Sequence, residues 1–265
     1  RKTLWHRIHR SPLFDIVQFL ILVLAIIWFF ATGTEKLGYN WQWYQIPRYI
    51  FTYDESGFAA GPLWEGLMVT FHISGVSLIL AFVIGLTTAL FRLSNSFVAQ
   101  TIARVYLEAT RNTPLLIQLF FIYFVLGPVL GINRMTSAIL ALSLFEGAYA
   151  SEIFRAGIVS IQRGQWEAAY SLGLSAFDTY YCIILPQAIR RILPPLTSQA
   201  ISLIKDSALV STIAIYDLTM QAQAVIAETF LTFELWFTVA AMYLAVTVTL
   251  SIIVSYMEHR LNGVS

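Results

Sequence analysis

The chain has 265 residues, 58% of them hydrophobic and only 12% charged, with a formal net charge of +1. Soluble domains carry about 25% charged residues, so this composition leaves too little polar surface for a water-soluble fold and defines an integral membrane protein. The near-neutral charge, with no basic patch standing out, argues against a nucleic-acid partner. The single Cys182 excludes an internal disulfide, and no Cys/His cluster has metal-ligand spacing.

Runs of about 20 apolar residues cross a bilayer as helices, and the weak two-residue alternation of a closed barrel is missing. Six spans are expected, at 14–30, 67–91, 115–130, 136–156, 196–216 and 235–257. The first follows the basic stretch "RKTLWHRIHR" and reads as an uncleaved helix, since no small-x-small cleavage site precedes a soluble domain. Residues 31–63 include "YNWQWYQIPRYIFTY", whose Trp41, Trp43, Tyr44, Tyr49 and Tyr53 suit the headgroup level. Interfacial anchoring and a contact surface for an outside partner are both open readings there. In the second span Ser77, Ala81, Gly85 and Ala89 recur at a spacing of four and form one stripe for close helix packing, which reads as packing within the chain ahead of a dimer seam. The segment at 217–234 holds Asp217, Glu228 and Glu234 without Lys or Arg, and reads as a solvated loop or a receiving surface.

Lys and Arg decide orientation. With the N-terminus inside, the cytoplasmic side holds 12 of them (Arg1, Lys2, Arg7, Arg10, Arg92, Arg104, Arg111, Arg155, Arg163, Arg190, Arg191, Arg260) and the outside holds 3 (Lys36, Arg48, Arg134). Both termini are therefore expected inside. The expected fold class is an all-α, polytopic helical bundle of six transmembrane helices, N-in and C-in.

One cytoplasmic segment, "EAAYSLGLSAFDTYYCIILP" at 167–186, interrupts this apolar pattern. Residues 165–172 suit a short helix, stopped by Gly173, which adopts the left-handed conformation cheaply. Ser175 with Asp178 resembles a capping box. Pro186 is expected to break or kink the following helix, and Pro194 with Pro195 to mark the start of the fifth span. The result is an exposed short helix held between two anchored spans, so a push on it must move them. As a bare structural feature, Glu167 is a first-turn carboxylate favoured by the helix dipole.

This segment resembles the EAA signature of the permease subunits of bacterial ATP-binding-cassette importers: Glu167, Ala168, Ala169, Gly173, Ile183, Leu185 and Pro186 stand at its spacing. "EATRNTPLLIQLFFIYF", "AYASEIFRAGIVSIQRGQWEAA" and "LIKDSALVSTI" are similar to the phrases of the polar amino-acid branch. The resemblance covers about residues 64–258. Many members of that branch have five spans, so residues 1–63, with an extra helix and an aromatic loop, depart from it, and 259–265 would be a short cytoplasmic tail. The resemblance implies that Glu167, Ala168, Ala169, Gly173, Leu185 and Pro186 form a coupling segment docked on a separate ATPase dimer that binds ATP and Mg. It also implies a second permease chain, identical or homologous, a soluble amino-acid-binding protein outside, and a bacterial cytoplasmic membrane. No cofactor is expected in this chain, and no G-x-x-x-x-G-K-[ST] phosphate loop occurs in it.

Ionisable groups inside spans line a cavity or pair. Glu146 is deep and without a local partner. Glu152 has Arg155 one turn on. Lys205 and Asp206 point about 100° apart; Ser198, Ser202 and Lys205 form one stripe, and Gln199, Ser202 and Asp206 another. Glu146, Glu152, Ser202, Lys205 and Asp206 are the candidate pathway residues, with Glu146 and Lys205 expected to share a polar cavity. The alternative function is a non-transporting scaffold or anchor subunit. The spaced docking segment argues against it, and so does the lack of axial His pairs, since His72 is the only clear intramembrane histidine. No nucleophile, base and orienting group converge as in an enzyme.

Overall fold

The computed structural model describes residues 12–36, 38–54 and 57–262. The basic residues at 1–10 and the last three residues lie outside the described set. The chain divides into two compact units, residues 1–43 and 44–265.

The first unit carries helix α1 (Pro12–Lys36), with Asp15 in its first turn where the helix dipole favours an acid. Its surface presents Phe19, Leu20, Trp28 and Phe29, as a lipid-facing span requires. Beyond it the rings of Trp41 and Trp43 stack, 5.7 Å apart.

The second unit begins earlier than the expected boundary at 63/64. Ile46 is buried with Leu63 and Leu67, and the ring of Phe51 lies 4.9 Å from that of Trp64. Residues 44–63 therefore pack as part of this second unit. They also contain the one departure from helix among the described residues: an antiparallel hairpin of β1 (Phe51–Asp54) and β2 (Gly57–Ala60), pairing Phe51 with Ala60.

Helix α2 (Pro62–Leu93) starts with proline in its first turn and Glu65 close behind. Helix α3 (Phe97–Arg111) is capped by Ser96, whose hydroxyl accepts from the amide of Ala99. After Pro114, α4 runs as Leu115–Phe120, widens into a π-helical turn at Phe121–Leu126, and ends with Gly127–Leu130. α3 and α4 meet at 107°. Helix α5 (Arg134–Val159) is capped by Asn133. Helix α6 (Arg163–Ser171) is the short cytoplasmic helix. Helix α7 (Leu185–Asp206) is entered through a turn at Ala176–Asp178 and a second π-helical stretch, Thr179–Ile184, and continues as a 3-10 segment, Ser207–Ile213. Helices α8 (Leu218–Thr229) and α9 (Thr232–Asn262) complete the unit. Four helices are long and apolar enough to cross a membrane unbroken, and six spans result when the bent pairs α3–α4 and α7–α8 each count as one.

Three expectations need correction. The fifth span does not start at Pro194 and Pro195; both lie inside α7, which is helical from Leu185. Each proline deprives the carbonyl four residues back of its donor, and those carbonyls belong to Arg190 and Arg191, which are exposed. The segment at 217–234 is not a solvated loop: it holds α8, and Asp217 and Glu234 are fully buried. Asp217 caps α8, accepting from the amide of Met220 at 2.9 Å. Finally, the expected tail at 259–265 is helical as far as Asn262.

Both π-helical stretches end two residues before a proline, Pro128 and Pro186. A proline ring clashes with the carbonyl four residues back, and a wider turn moves that carbonyl aside.

The small-residue stripe does pack within the chain. Ser77, Ala81, Gly85 and Ala89 are all buried, and α2 faces α5 along it. A Cβ on Gly85 would come 2.7 Å from the Cβ of Ala150 and 3.0 Å from the carbonyl of Gly147. Gly75, on the same helix, has nothing within 4 Å of that position. Gly85→Ala is therefore expected to destabilise by about 1–3 kcal/mol through overpacking, whereas Gly75→Ala gains up to about 1 kcal/mol of helix propensity. Thermal melting of the purified protein in detergent measures both. Equal shifts for the two variants would refute the close approach of α2 and α5.

Candidate functional site

The cytoplasmic segment is built as its sequence demands. Helix α6 ends in a Schellman arrangement: the amide of Gly173 donates to Tyr170 (3.0 Å) and that of Leu174 to Ala169 (3.2 Å). Gly173 has φ +77°, a conformation that costs a residue with a Cβ about 1–2 kcal/mol. Ser175 then caps the next turn, accepting from the amide of Asp178 at 3.1 Å. Its hydroxyl donates to the Asp178 carboxylate at 2.6 Å, so the side chains pair with each other rather than forming the reciprocal box.

Two faces of α6 have different tasks. Ala169 is buried, and Trp166 packs into the cluster of Ala89, Ala150, Phe154, Ile161, Ile184, Ala188 and Ile192, with its ring edge-on to Tyr180 at 4.8 Å. Glu167 and Ala168 are exposed. Glu167 pairs with Arg163 at 3.0 Å, both largely in solvent, and such a pair adds at most about 0.5 kcal/mol. Around them Tyr170, Leu172, Phe177 and Tyr181 are also exposed, more apolar surface than a solvated loop needs. Leu185 and Pro186 open α7 and are exposed as well. The segment is tied at two points: Gln187 donates to Gln165 at 3.2 Å, and Arg191 bonds the carbonyl and hydroxyl of Ser160.

The pathway candidates separate into three places. Glu146 is buried on α5 and accepts from the amide of Gln199 on α7 at 2.6 Å. Its other carboxylate oxygen is buried with no hydrogen-bond partner. The pair borders a cavity of about 170 Å³, whose other walls include Ala81, Phe82, Leu196 and Thr197. Lys205 does not line this cavity, so the expected sharing of one cavity by Glu146 and Lys205 fails.

Lys205 instead belongs to an outward face of α7. Ser198 and Lys205 are exposed, and Ser202 and Asp206 half-exposed. No large hydrophobic residue is exposed between Ile189 and Tyr216, unlike on α1, α2 and α9. A span with a polar outer face is not lipid-facing along that face.

Glu152 lies elsewhere again. Its carboxylate meets Arg92 at 2.7 Å, Arg111 at 3.0 Å and Arg155 at 3.3 Å. The expected pair with Arg155 exists, but it is the longest of the three, and the cluster leaves Glu152 without a place on the α7 face. Sequence reasoning missed Arg92, Arg111 and Gln199 as partners, because helical spacing reports which stripe a residue occupies and not what that stripe faces. Among the described residues, no group of His, Cys, Asp or Glu could hold a metal ion.

A helical membrane bundle with an exposed, solvent-facing helix slung between two spans, and a polar face left open on one of them, defines the permease subunit of a transport system. The chain belongs to the family of binding-protein-dependent transport system inner membrane components, whose model matches residues 81–263. It is 40% identical over 203 residues to the glutamine transport system permease protein GlnP of Escherichia coli (strain K12), covering 76% of this chain and 93% of that protein. It is 38% identical over 200 residues to the L-cystine transport system permease protein TcyB of Bacillus subtilis (strain 168), covering 74% and 85%. A solved amino acid ABC transporter crystallised with histidines matches with TM-score 0.71 and 37% identity over 75% of this chain and 94% of that one. The inward-facing MetNI methionine ABC transporter shares the fold, with TM-score 0.63 at 18% identity.

The Glu146–Gln199 contact generates a stability prediction. Gln199→Leu leaves a buried carboxylate without its donor, at a cost of about 1–3 kcal/mol, whereas replacing both partners by apolar groups is nearly neutral. Gln199→Leu should therefore lower the melting temperature, and the Glu146→Leu/Gln199→Leu double variant should recover most of the loss. Additive destabilisation in the double variant would refute the contact.

Proposed function

We propose that this permease moves polar amino acids inward across a bacterial cytoplasmic membrane, along a path between this chain and a second permease chain, identical or homologous, lined by the polar face of α7. The observation that carries this reading is that face: Ser198, Ser202, Lys205 and Asp206 are exposed or partly exposed in a single chain, and their side chains make no hydrogen bond or ion pair with another described residue. Polar groups on a span need water, a partner chain or a ligand. A zwitterionic solute carries an ammonium and a carboxylate, and Asp206 and Lys205 offer both complements within one turn. The glutamine, cystine and histidine named for the similar proteins support the same class of solute.

The exposed side of α6, with Glu167 and Ala168 ringed by Tyr170, Leu172, Phe177 and Tyr181, is the docking surface for a separate ATPase subunit. That subunit, as a dimer, binds ATP and Mg. A soluble binding protein delivers the solute from outside. The 12-to-3 distribution of Lys and Arg supports a cytoplasmic position for α6.

Two measurements on the reconstituted complex test this reading. Gly173→Val disturbs the left-handed turn that ends α6, and Glu167→Lys reverses the exposed charge; both are expected to lower solute uptake per ATP hydrolysed at least about tenfold, as a loss of about 1.4 kcal/mol of coupling does. Wild-type coupling in both variants would remove α6 from the transmission path. Lys205→Met and Asp206→Asn should assemble and hydrolyse ATP yet lose uptake or change preference among acidic, basic and neutral amino acids. Unaltered uptake per assembled complex in both would remove the α7 face from the pathway.

A further inference from the structure

A second polar site lies on the cytoplasmic side, apart from α6 and from the α7 face. A cavity of about 330 Å³ is walled by the ends of α2 and α5 and by one face of α3. It gathers four arginines, Arg92, Arg104, Arg111 and Arg155, with Gln100 and the carboxylates Glu108 and Glu152. Four positive charges against two negative leave an excess of +2. Glu152 spreads one charge over Arg92, Arg111 and Arg155. Glu108 accepts from the amide of Asn112 at 2.9 Å. Arg104 has no hydrogen-bond or ion-pair partner among the described residues. The site is thus an arginine basin with one uncommitted guanidinium and net positive charge.

The helix that forms its wall is itself suited to a membrane surface. α3 meets the following span at 107°. Its residues Gln100, Arg104, Glu108 and Arg111 recur at spacings of four, four and three, so they share the cavity face. A neighbouring face exposes Val98, Ile102 and Val105, each more than half exposed. A helix with an apolar face beside a basic one lies in the interfacial plane, acyl chains under one face and headgroups at the other. The cytoplasmic leaflet is the anionic one, and basic pockets between spans on that side are suited to phosphate headgroups. Guanidinium groups match phosphate oxygens by paired N–H donors.

We propose that this cavity binds the phosphate of an anionic phospholipid of the cytoplasmic leaflet, with Arg104 as the added anchor and the Glu152-linked arginines as the base of the site. The chemistry recognised is a phosphodiester monoanion. The lipid is favoured over a free ion because the apolar face of α3 adjoins the arginine face. The inference rests on the membrane orientation of the chain and not on which solute is transported.

The assembled complex, purified in a zwitterionic detergent, is melted with short-chain phosphatidylglycerol, short-chain phosphatidylcholine or inorganic phosphate. Phosphatidylglycerol at saturating concentration is expected to raise the wild-type melting temperature by about 3 °C or more over phosphatidylcholine. Arg104→Gln should lose most of that rise while keeping its basal melting temperature and its uptake. Arg190→Gln, an exposed arginine outside the cavity, should keep the rise. Three results would overturn the proposal. The first is an equal rise in wild type and Arg104→Gln. The second is an equal loss in Arg190→Gln, which marks unspecific charge attraction. The third is full stabilisation by inorganic phosphate alone, which assigns the basin to a free anion. Failure of Arg104→Gln to co-purify with an ATPase subunit would also overturn it, by making the basin a protein interface.

Discussion

Two helices in hydrocarbon gain nothing by hiding apolar surface from each other, so α2 and α5 are held by the closeness of their backbones. Ser77, Ala81, Gly85 and Ala89 on one side, and Gly147, Ala150 and Ser151 on the other, leave no room for a larger side chain along the seam. The rest of the second unit is referenced to this contact. At one end Leu63 and Leu67 of α2 gather α8 and α9. At the other, Ala89 and Ala150 open into the cluster that seats Trp166 of α6. The position of the cytoplasmic helix is thus set by a seam that begins well inside the membrane. Gly157 extends the same logic to α7, since a Cβ there would collide with Ile192.

Polar groups are distributed by what each span can satisfy. Thr and Ser hydroxyls on α2, α5 and α9 bond back to carbonyls of their own helices, as Thr70 does to Gly66 and Ser143 to Ile139. Asp217 is fully buried because it caps α8 and lies within reach of Tyr243 on α9. Glu146 is not fully satisfied: one oxygen is held by Gln199 and the other is unanswered. An unsatisfied buried carboxylate beside a cavity is a costly feature to keep for packing alone. The α7 face differs in kind, because its polar groups are exposed or only partly buried in the single chain.

Features set by local chemistry were legible in the sequence. The long apolar runs marked the spans, Gly173 and Ser175 marked a helix end and a helix start, and the four-residue stripe in α2 marked a packing face. Features set by a distant partner were not. Pro194 and Pro195 suggested a helix start, yet they lie inside α7, on a turn where freed carbonyls stay exposed. Asp217 and Glu234 looked solvated because their burial comes from the packing of α2, α8 and α9, which lie far apart in the chain. The arginine basin was invisible to any reading along the chain, since its members come from three helices and none forms a basic run. Gln199 was placed on the correct stripe, but only the fold brings Glu146 opposite it.

The same distinction bears on how a force on α6 would travel. The Gln165–Gln187 bond and the Arg191 bonds to Ser160 tie α6 and the end of α5 to the first turns of α7. The Trp166–Tyr180 contact and the buried Thr179 and Ile184 lock the π-helical stretch into the same body. These contacts join α6, the end of α5 and the start of α7. The next weak point along α7 is Pro194–Pro195, where two consecutive helical hydrogen bonds are missing, and sharp bends in helices occur at such places. Ser198 to Asp206 begin directly beyond it. The bend of least cost in α7 therefore lies between the part tied to the cytoplasmic helix and the part that carries the polar face.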